Sequence, residues 1–371
     1  MKVGITGKSG FIGYHLSQII KYKFENYEIV PFRRSFFEDS ELLNSFVSSC
    51  DVIIHLAGVN RADSNEEVYS SNIQINTALN FALLSTKFRG QLIFASSSQE
   101  ELSSLYGKAK KESRIFLEHT VEQLGGNFTG LIIPNVFGPF CKPNYNSFIA
   151  TFTNKILNEE DPIIIKDESI PLIYVGNLVQ QILDVIQFQN VIKLKLIESD
   201  IEIKVSKVLN LLNYFKDSYL KNNTIPTFNK SFELNLFNTF RSCVDLEETY
   251  PIELNKNLDE RGFFSEIIKT EIGGQFSYST TMPGVTRGNH FHTRKIERFI
   301  VIAGKAKISL RKIGNNEVHE FLLDGESPSF IDMPIWYTHN ITNIGDSKLI
   351  TAFWINEAYN PEDADTYFEN V

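Results

Sequence analysis

Cysteine is scarce in this chain, which has only Cys50, Cys141 and Cys243 in 371 residues. Three thiols so widely separated in the sequence are too few for a disulfide framework or a thiolate metal site. The scarcity favours a reducing compartment, and it indicates that each cysteine is a small core residue.

Excess positive charge and long apolar segments are also missing. The formal net charge is −9, and without a long run of lysine or arginine, nucleic-acid binding lacks its usual electrostatic basis. No apolar stretch approaches the ~20 residues that cross a bilayer, and the N-terminus has no charged leader followed by an apolar segment and a cleavage site. Hydrophobic and charged fractions of 42% and 22% are typical of a globular protein. We expect a soluble, cytoplasmic protein that binds neither nucleic acid nor membrane.

Length and a change of pattern predict two domains. At roughly 150 residues per domain, the chain is long enough for two cores. Strands alternate with helices over residues 1–243, which predicts an α/β Rossmann-type doubly wound parallel sheet. Residues 244–371 instead contain short β-branched and aromatic runs separated by turn residues, which predicts an all-β barrel or sandwich.

The chain begins with a strand, a glycine-rich turn and a helix, in KVGITG and KSGFIGYHLSQII. Gly7 permits a tight turn, Gly10 lets backbone amides approach a pyrophosphate, and Gly13 lets helix and strand pack closely. Roughly 20 residues after these glycines, where an acid would bind a ribose hydroxyl, the second strand is followed by Arg33 and Arg34. Guanidinium groups can pair with a 2'-phosphate, so the sequence favours NADPH over NADH.

A tyrosine and a lysine follow the strand QLIFASSS, within YGKAK. Tyr106 and Lys110 are four residues apart, so they lie on one face of a helix. The positive charge of a nearby lysine lowers the pKa of a phenol, which would let Tyr106 exchange a proton near neutral pH.

In combination, the glycine motif, HLAG after a middle strand, the serine cluster, YxxxK, PNVFGP and the segment around Tyr174 resemble the extended short-chain dehydrogenases/reductases that act on nucleotide sugars. The resemblance implies that Tyr106 is the proton donor or acceptor and that Lys110 modulates its pKa. It places the serine that binds the reacting oxygen at Ser97, with Ser96 and Ser98 left open, and a substrate contact at Asn135. The implied cofactor-binding residues are Gly7, Ser9, Gly10, Phe11, Ile12, Gly13, Arg33, Arg34, Leu56, Ala57, Gly58, Tyr106, Lys110 and Pro134.

In the second domain, GVTRGNHFHTRKIERF brings histidines and a carboxylate together. His290 and His292 alternate along a predicted strand, so their rings share a face, and Glu297 returns to it on the next strand. His339 supplies a third imidazole. Three nitrogens and one carboxylate oxygen suit a divalent cation, zinc most of all, with manganese, iron and nickel left open by ligand type. His319 has no such partners, and we predict a surface position for it.

This spacing resembles the two motifs of the cupin superfamily. The first motif matches Gly284, His290, His292, Glu297 and Gly304, and the second matches Pro334, His339 and Asn343, with Trp336 in place of a glycine. DERGFFSE and GVTRGNHFH also resemble the nucleotide-sugar 3,5-epimerases, a cupin family, whose two diphosphate-binding arginines correspond to Arg261 and Arg287. The base of those enzymes corresponds to His290, which the metal site would occupy. Tyr359 and Lys295 are therefore the alternative candidates for the acid or base.

Taken whole, the chain resembles the bifunctional capsule-biosynthesis enzymes that form UDP-2-acetamido-2,6-dideoxy-L-talose. The resemblance implies a homodimer in which the cupin epimerises C3 of a UDP-4-keto-6-deoxy-N-acetylhexosamine and the first domain reduces C4 with NADPH. One alternative is a reductase whose cupin serves only dimerisation or stability. A second is a non-catalytic protein that senses NADPH, although the presence of both Tyr106 and Lys110 argues against it.

Overall fold

The structure, a computed structural model, describes residues 1–188, 192–254, 257–259, 262–264, 267–270, 274–357 and 360–371. The chain forms two compact units, one of residues 1–152 and 163–208 and the other of residues 153–162 and 209–371. Within the described residues, no helix is long and apolar enough to cross a membrane.

Strands and helices alternate along the first unit. Its elements are β1 (Lys2–Thr6), α1 (Phe11–Lys23), β2 (Glu28–Val30), α2 (Ser40–Ser48), β3 (Val52–His55), α3 (Asn65–Thr86), β4 (Gln91–Ser97), α4 (Leu105–Gln123), β5 (Asn127–Ile133), β6 (Asn135–Phe137), α5 (Phe148–Leu157), β7 (Ser169–Tyr174), α6 (Val175–Phe188), β8 (Leu194–Leu196), β9 (Ile201–Lys204) and α7 (Val205–Phe215). Helices α5 and α7 continue into the second unit.

A six-stranded sheet in the order β2-β1-β3-β4-β5-β8, parallel throughout, forms the centre of the first unit. One apolar cluster joins this sheet to α1 and α6, and a second joins its other face to α2, α3 and α4. Burial on both faces explains why the strands are nearly continuous in apolar residues. The predicted doubly wound fold is confirmed.

The second unit is mostly antiparallel sheet. Its elements are β10 (Thr224–Ile225), α8 (Ser231–Arg241), α9 (Leu246–Thr249), β11 (Ile252–Glu253), β12 (Asn257–Asp259), β13 (Gly262–Phe264), β14 (Lys269–Thr270), β15 (Gln275–Thr281), β16 (Thr286–Phe291), β17 (Glu297–Ala303), β18 (Lys305–Lys312), β19 (Val318–Asp324), β20 (Ser329–Met333), β21 (Tyr337–Asn343), β22 (Leu349–Ile355) and β23 (Tyr367–Phe368).

Two five-stranded sheets, β11-β20-β17-β22-β15 and β19-β18-β21-β16-β23, enclose a common apolar core. Inward residues from both sheets, among them Ile300, Ile308 and Phe330, are at most 1% exposed. This architecture fits the predicted cupin-like β domain.

Residues 209–243 are largely helical, yet they belong to the second unit. The Tyr219 hydroxyl donates to the Asp332 carboxylate, and Arg241 Nη2 donates to the Met333 carbonyl at 2.7 Å, so these helical residues are tied to β20. The sequence boundary at residues 243/244 follows the change from helix to strand, and as a domain boundary it stays a prediction.

Candidate active sites

The glycine-rich turn connects β1 to α1. Gly7 has φ +75°, and a Cβ there would lie 2.9 Å from the Ala57 nitrogen. A Cβ on Gly13 would lie 2.2 Å from the Gly7 carbonyl oxygen, which also accepts a hydrogen bond from the Gly10 amide at 2.9 Å. Glycine at positions 7 and 13 is therefore required by the backbone itself, the first for its conformation and the second for close packing.

The residues predicted to bind NADPH lie at one edge of the sheet. Ser9, Phe11 and Ile12 belong to the turn and the first helical residues after β1, and Leu56 to Gly58 directly follow β3. Arg33 and Arg34 are exposed just beyond β2, and Pro134 lies between β5 and β6. Parallel strands end at the same edge, which is where such sheets bind ligands. The cofactor contacts themselves stay a prediction.

Tyr106 and Lys110 lie in the first turns of α4. The buried Lys110 ammonium donates to the Ala95 carbonyl at 2.9 Å and is 5.9 Å from the centroid of the Tyr106 ring. Burial lowers the pKa of Lys110 to about 8. Burial, followed by the neighbouring Tyr145, raises the pKa of Tyr106 to about 12. The expected lowering of the phenol pKa is therefore wrong for this structure, because burial of the phenol outweighs the charge of a lysine that points to Ala95.

The three serines at the end of β4 have different environments. The buried Ser96 hydroxyl donates to the Glu100 carboxylate, which forms a 2.9 Å ion pair with Arg114. Ser97 is half-buried and accepts from the Gln99 amide at 3.2 Å, whereas Ser98 is exposed. Ser96 thus has a structural partner, and the assignment of Ser97 to the reacting oxygen stays a prediction with Ser98 as its alternative.

A cavity of about 350 Å³ lies beside Tyr106. It is lined by Asn60, Asn65, Gln99, Ser103, Ser104, Leu105, Tyr106 and Asn146. None of these described lining residues carries a charge, and carboxamides and hydroxyls can both donate and accept hydrogen bonds. Such a lining suits the hydroxyl and amide groups of a neutral sugar. Asn135, the predicted substrate contact, is exposed at the start of β6 and is not part of this lining.

Sequence reasoning did not identify the cavity asparagines. Asn60 lies in the loop after β3, Asn65 begins α3, and Asn146 lies in the loop before α5, and these segments carry no recognisable motif. The Arg61 guanidinium donates to the Asn144 carbonyl and so connects the two loops. The available signal was weak: the asparagines of VNRADSN directly follow HLAG, where the chain leaves the sheet edge.

In the second unit, three histidines and one glutamate form a cluster. One ligand atom from each of His290, His292, Glu297 and His339 lies within 4.8 Å of the others. The His290 ring centroid is 4.7 Å from that of His339 and 5.2 Å from that of His292. His290 and His339 are register partners on β16 and β21 of one sheet, while Glu297 begins β17 of the other. The four residues that the sequence predicted as metal ligands are thus brought together.

The backbone around the cluster differs from the simple alternation that the sequence suggested. Strand β16 ends at Phe291, so His292 lies beyond it, and a bulge at Asn289 (φ +59°) precedes His290. Trp336, in the place of the motif's glycine, has φ +62°, and its amide donates to the His292 carbonyl at 2.8 Å. Its ring stacks on Phe291 with centroids 5.5 Å apart, and this packing stabilises a backbone conformation that glycine adopts without cost.

The cluster has the electrostatics of a cation site. Burial alone would raise the pKa of Glu297, yet His292 and His339 hold that pKa well below its usual range. Burial, then the neighbouring His339 and His292, lowers the pKa of His290 to about 4. His339 Nε2 is 3.2 Å from Glu297 Oε2 but lacks hydrogen-bond geometry, so this buried nitrogen has no hydrogen-bond partner among the residues that the structure describes. An ionised carboxylate beside imidazole nitrogens is the donor set that a borderline divalent cation prefers, and the residues fit one.

The structure supports less directly the residues of this unit that the sequence predicted to bind the diphosphate or to act as acid or base. Arg287 is exposed on β16 and has no ion-pair partner within the described part of the chain. Arg261 and Tyr359 lie outside the described residues. Lys295 is 2% exposed and donates to the Ala364 carbonyl at 2.5 Å, so its ammonium already has a structural role.

His319 was predicted to be a surface residue without carboxylate or imidazole partners, but its side chain is only 16% exposed and two carboxylates lie beside it. Its Nδ1 lies 2.9 Å from a carboxylate oxygen of Glu247, and Glu317 is close to both. The two carboxylates are exposed, so this group resembles an ordinary surface ion pair.

Comparison with known proteins identifies the family to which this chain belongs. Residues 3–195 match the model of the NAD dependent epimerase/dehydratase family. The chain belongs to this family. Residues 257–367, which include the histidine cluster, match the polysaccharide biosynthesis C-terminal domain. Members of the epimerase/dehydratase family are enzymes, and two relatives align with essentially the whole of this chain.

Among those relatives, the UDP-2-acetamido-2,6-beta-L-arabino-hexul-4-ose reductase of Pseudomonas aeruginosa is 34% identical over 99% of this chain and 98% of its own. The capsular polysaccharide assembling protein CapF of Staphylococcus aureus is 32% identical, with TM-score 0.63 and both chains fully covered. The spore coat polysaccharide biosynthesis protein SpsL of Bacillus subtilis is 24% identical over 30% of this chain and 82% of its own. This family member therefore has the two-domain architecture of nucleotide-sugar enzymes in capsule biosynthesis.

Proposed function

We propose that the chain catalyses two steps on a UDP-4-keto-6-deoxy-N-acetylhexosamine. The second unit epimerises C3, and the first unit reduces the C4 ketone with NADPH to give UDP-2-acetamido-2,6-dideoxy-L-talose, a precursor of N-acetyl-L-fucosamine in capsular polysaccharide. The observation that carries this proposal is that one chain contains Tyr106 at a neutral, amide-lined cavity and a cluster of three histidines with an ionised carboxylate.

For the reduction, the decisive property is the protonation state of Tyr106. Its pKa of about 12 keeps the phenol protonated at neutral pH, so it can donate a proton to the ketone oxygen. NADPH, when bound, supplies the hydride that completes the alcohol. Lys110, whose pKa of about 8 leaves it mostly charged at neutral pH, offsets the negative charge that develops on the phenolate. Arg33 and Arg34 would hold the 2'-phosphate.

For the epimerisation, a proton must leave the carbon beside the ketone and return on the opposite face. His290, His292, Glu297 and His339 would hold one divalent cation, which we propose is Zn²⁺ and which supplies Lewis-acid polarisation of the ketone oxygen when bound. Arg287 and Arg261 would bind the diphosphate, and Tyr359 is our candidate for the acid or base. Reduction consumes the epimerised ketone, so the two steps in one chain draw the epimerisation forward.

The relatives support this proposal through their names. The Pseudomonas aeruginosa protein is a reductase of a UDP-linked hexul-4-ose, and CapF is a capsular polysaccharide assembling protein. Both cover essentially the whole of this chain. We also propose that the protein forms a homodimer, and this part of the proposal is supported only by the sequence resemblance to the bifunctional enzymes.

A second function for the cluster has one observation in its favour. His292, Glu297 and His339 are buried, and His290 is half-buried. A metal held in so enclosed a site could serve stability alone, because catalytic metal sites keep an open position. The chain would then be a reductase with a structural β domain.

The deciding experiment is mass spectrometry of the UDP-4-keto sugar after incubation with the full chain and Zn²⁺ in deuterated water, without NADPH. We expect deuterium at the carbon beside the ketone for the wild type and for the His319→Ala control. His290→Ala should abolish the exchange, while Tyr106→Phe should keep it but, in a parallel assay with NADPH added, lose NADPH oxidation. NADPH oxidation without any exchange in the wild type would leave the one-function reductase.

A further inference from the structure

The C-terminal segment, residues 360–371, lies along the histidine cluster. In β23, Phe368 and Tyr367 are register partners of His290 and Phe291. The Glu369 amide donates to the Asn289 carbonyl at 2.9 Å, at the bulge that precedes His290. The last residues of the chain therefore complete the sheet that carries two of the histidines.

Asp365 makes the most concentrated set of contacts in this segment. It is 4% exposed, and its carboxylate accepts from the Thr293 amide at 3.2 Å, the Thr293 hydroxyl at 2.5 Å and the Arg294 amide at 3.0 Å. Its main-chain carbonyl lies 2.5 Å from His292 Nδ1. One residue thus contacts the imidazole of His292 and also the turn that follows it.

The carbonyl contact decides which nitrogen of His292 is available. A carbonyl oxygen can only accept, so Nδ1 carries the proton and donates it. The other ring nitrogen, Nε2, is directed to Glu297, whose Oε2 is 3.0 Å away. A hydrogen bond from the far nitrogen of a ligating histidine fixes both its tautomer and its ring orientation.

We propose that Asp365 is a positioning residue that presents His292 Nε2 to the divalent cation, with its carboxylate holding the 293–294 turn in register. This inference rests on the metal site proposed above. A competing explanation is that Asp365 only fastens the C-terminal segment to the fold, in which case its loss would lower stability without changing the affinity for the metal.

Three variants separate these explanations. Asp365 has φ +42°, a conformation that glycine and asparagine tolerate well, so Asp365→Gly removes the carboxylate without opposing the backbone. Asp365→Asn keeps one acceptor oxygen for the turn. Asp363→Asn is the matched control, since it changes the same charge on the same segment at an exposed residue that pairs with Arg294.

The measurement is the dissociation constant for Zn²⁺ of the full chain, by competition with a chromogenic chelator, alongside the melting temperature of each metal-free protein. We expect about 10- to 100-fold weaker binding for Asp365→Gly, the usual effect of losing such an outer contact, with a smaller loss for Asp365→Asn. Asp363→Asn should bind as the wild type does.

Affinity within threefold of the wild type for Asp365→Gly would overturn the positioning role, whatever its melting temperature. If Asp365→Gly does not fold, Asp365→Asn decides: unchanged affinity would overturn the proposal and weaker affinity would support it. A wild-type chain that binds no Zn²⁺ would overturn this inference together with the metal site, whereas Zn²⁺ binding without proton exchange at the sugar would overturn only the proposed epimerisation.

Discussion

The buried ion pair between Arg298 and Asp332 gives the sharpest prediction of stability. Arg298 is 1% exposed and Asp332 is fully buried, and two hydrogen bonds of 2.8 and 3.0 Å join them. The guanidinium lies 3.8 Å from the centroid of the Phe330 ring, and the Tyr219 hydroxyl donates to the same carboxylate. Asp332→Ala would remove the carboxylate that both groups share, so the buried guanidinium would keep its 3.1 Å hydrogen bond to the Asn223 carbonyl but lose its counter-ion, and the phenol would keep its 2.7 Å contact with the Tyr250 hydroxyl.

The expected cost follows from that arrangement. Removing one partner of a buried ion pair destabilises a protein by about 3–5 kcal/mol, because the remaining charge is uncompensated. The double variant Asp332→Ala/Arg298→Met removes both charges and should recover much of this loss, since apolar replacement of a whole buried pair is often close to neutral. As a control, Lys305→Ala breaks an exposed 3.8 Å pair with Asp324 and should change stability by less than about 1 kcal/mol.

Urea unfolding followed by tryptophan fluorescence suits this test. The only two tryptophans, Trp336 and Trp354, both belong to the second unit, so their emission reports on the unit that contains the pair. A loss below about 1 kcal/mol for Asp332→Ala, similar to a surface pair, would refute the reasoning. So would a double variant that is less stable than Asp332→Ala.

Three further predictions concern the first unit. The pKa of Lys110 is lowered to about 8, so its stabilising positive charge is present below that pH and lost above it. We therefore expect kcat/KM for reduction to fall as the pH rises through about 8. The Lys110→Met variant should be slow at every pH, and its kcat/KM should show no such fall near pH 8. Gly13→Ala places a Cβ 2.2 Å from the Gly7 oxygen and should weaken NADPH binding at least about tenfold in fluorescence titrations. Gly345→Ala, where a Cβ would have only ordinary contacts at 3.5 Å or more, should leave binding unchanged. Asn146→Asp puts a charge in the neutral cavity and should raise KM for the UDP-sugar while KM for NADPH is unchanged; equal effects on both would contradict a sugar-binding role.

Several features were predictable because they are encoded by neighbouring residues. The spacing of Gly7 and Gly13 follows from one turn between one strand and one helix, and the structure gives both a steric reason. The alternation of strand and helix predicted the doubly wound sheet, and the short β-branched runs predicted the second fold. Such patterns have the periods of the elements themselves, so no knowledge of distant contacts is needed to interpret them.

Other features depend on contacts that local patterns do not encode. The phenol pKa of Tyr106 is set by burial, which outweighs the spacing to Lys110 from which a lowered pKa was expected. His319 gains a carboxylate partner 72 residues away, and the helical residue Tyr219 bonds to Asp332 across 113 residues. Periodicity reports which residues form a helix, but it does not report which core that helix packs against.

By itself, the sequence determined the two fold classes, the family and the four residues of the histidine cluster, because each depends on short, regular spacing. Only the tertiary structure decided that Asn60 and Asn146 line a cavity beside Tyr106, and that Asp365 contacts His292. Those residues lie in loops and a terminal segment without periodicity, and their positions follow from how the surrounding sheets and helices pack.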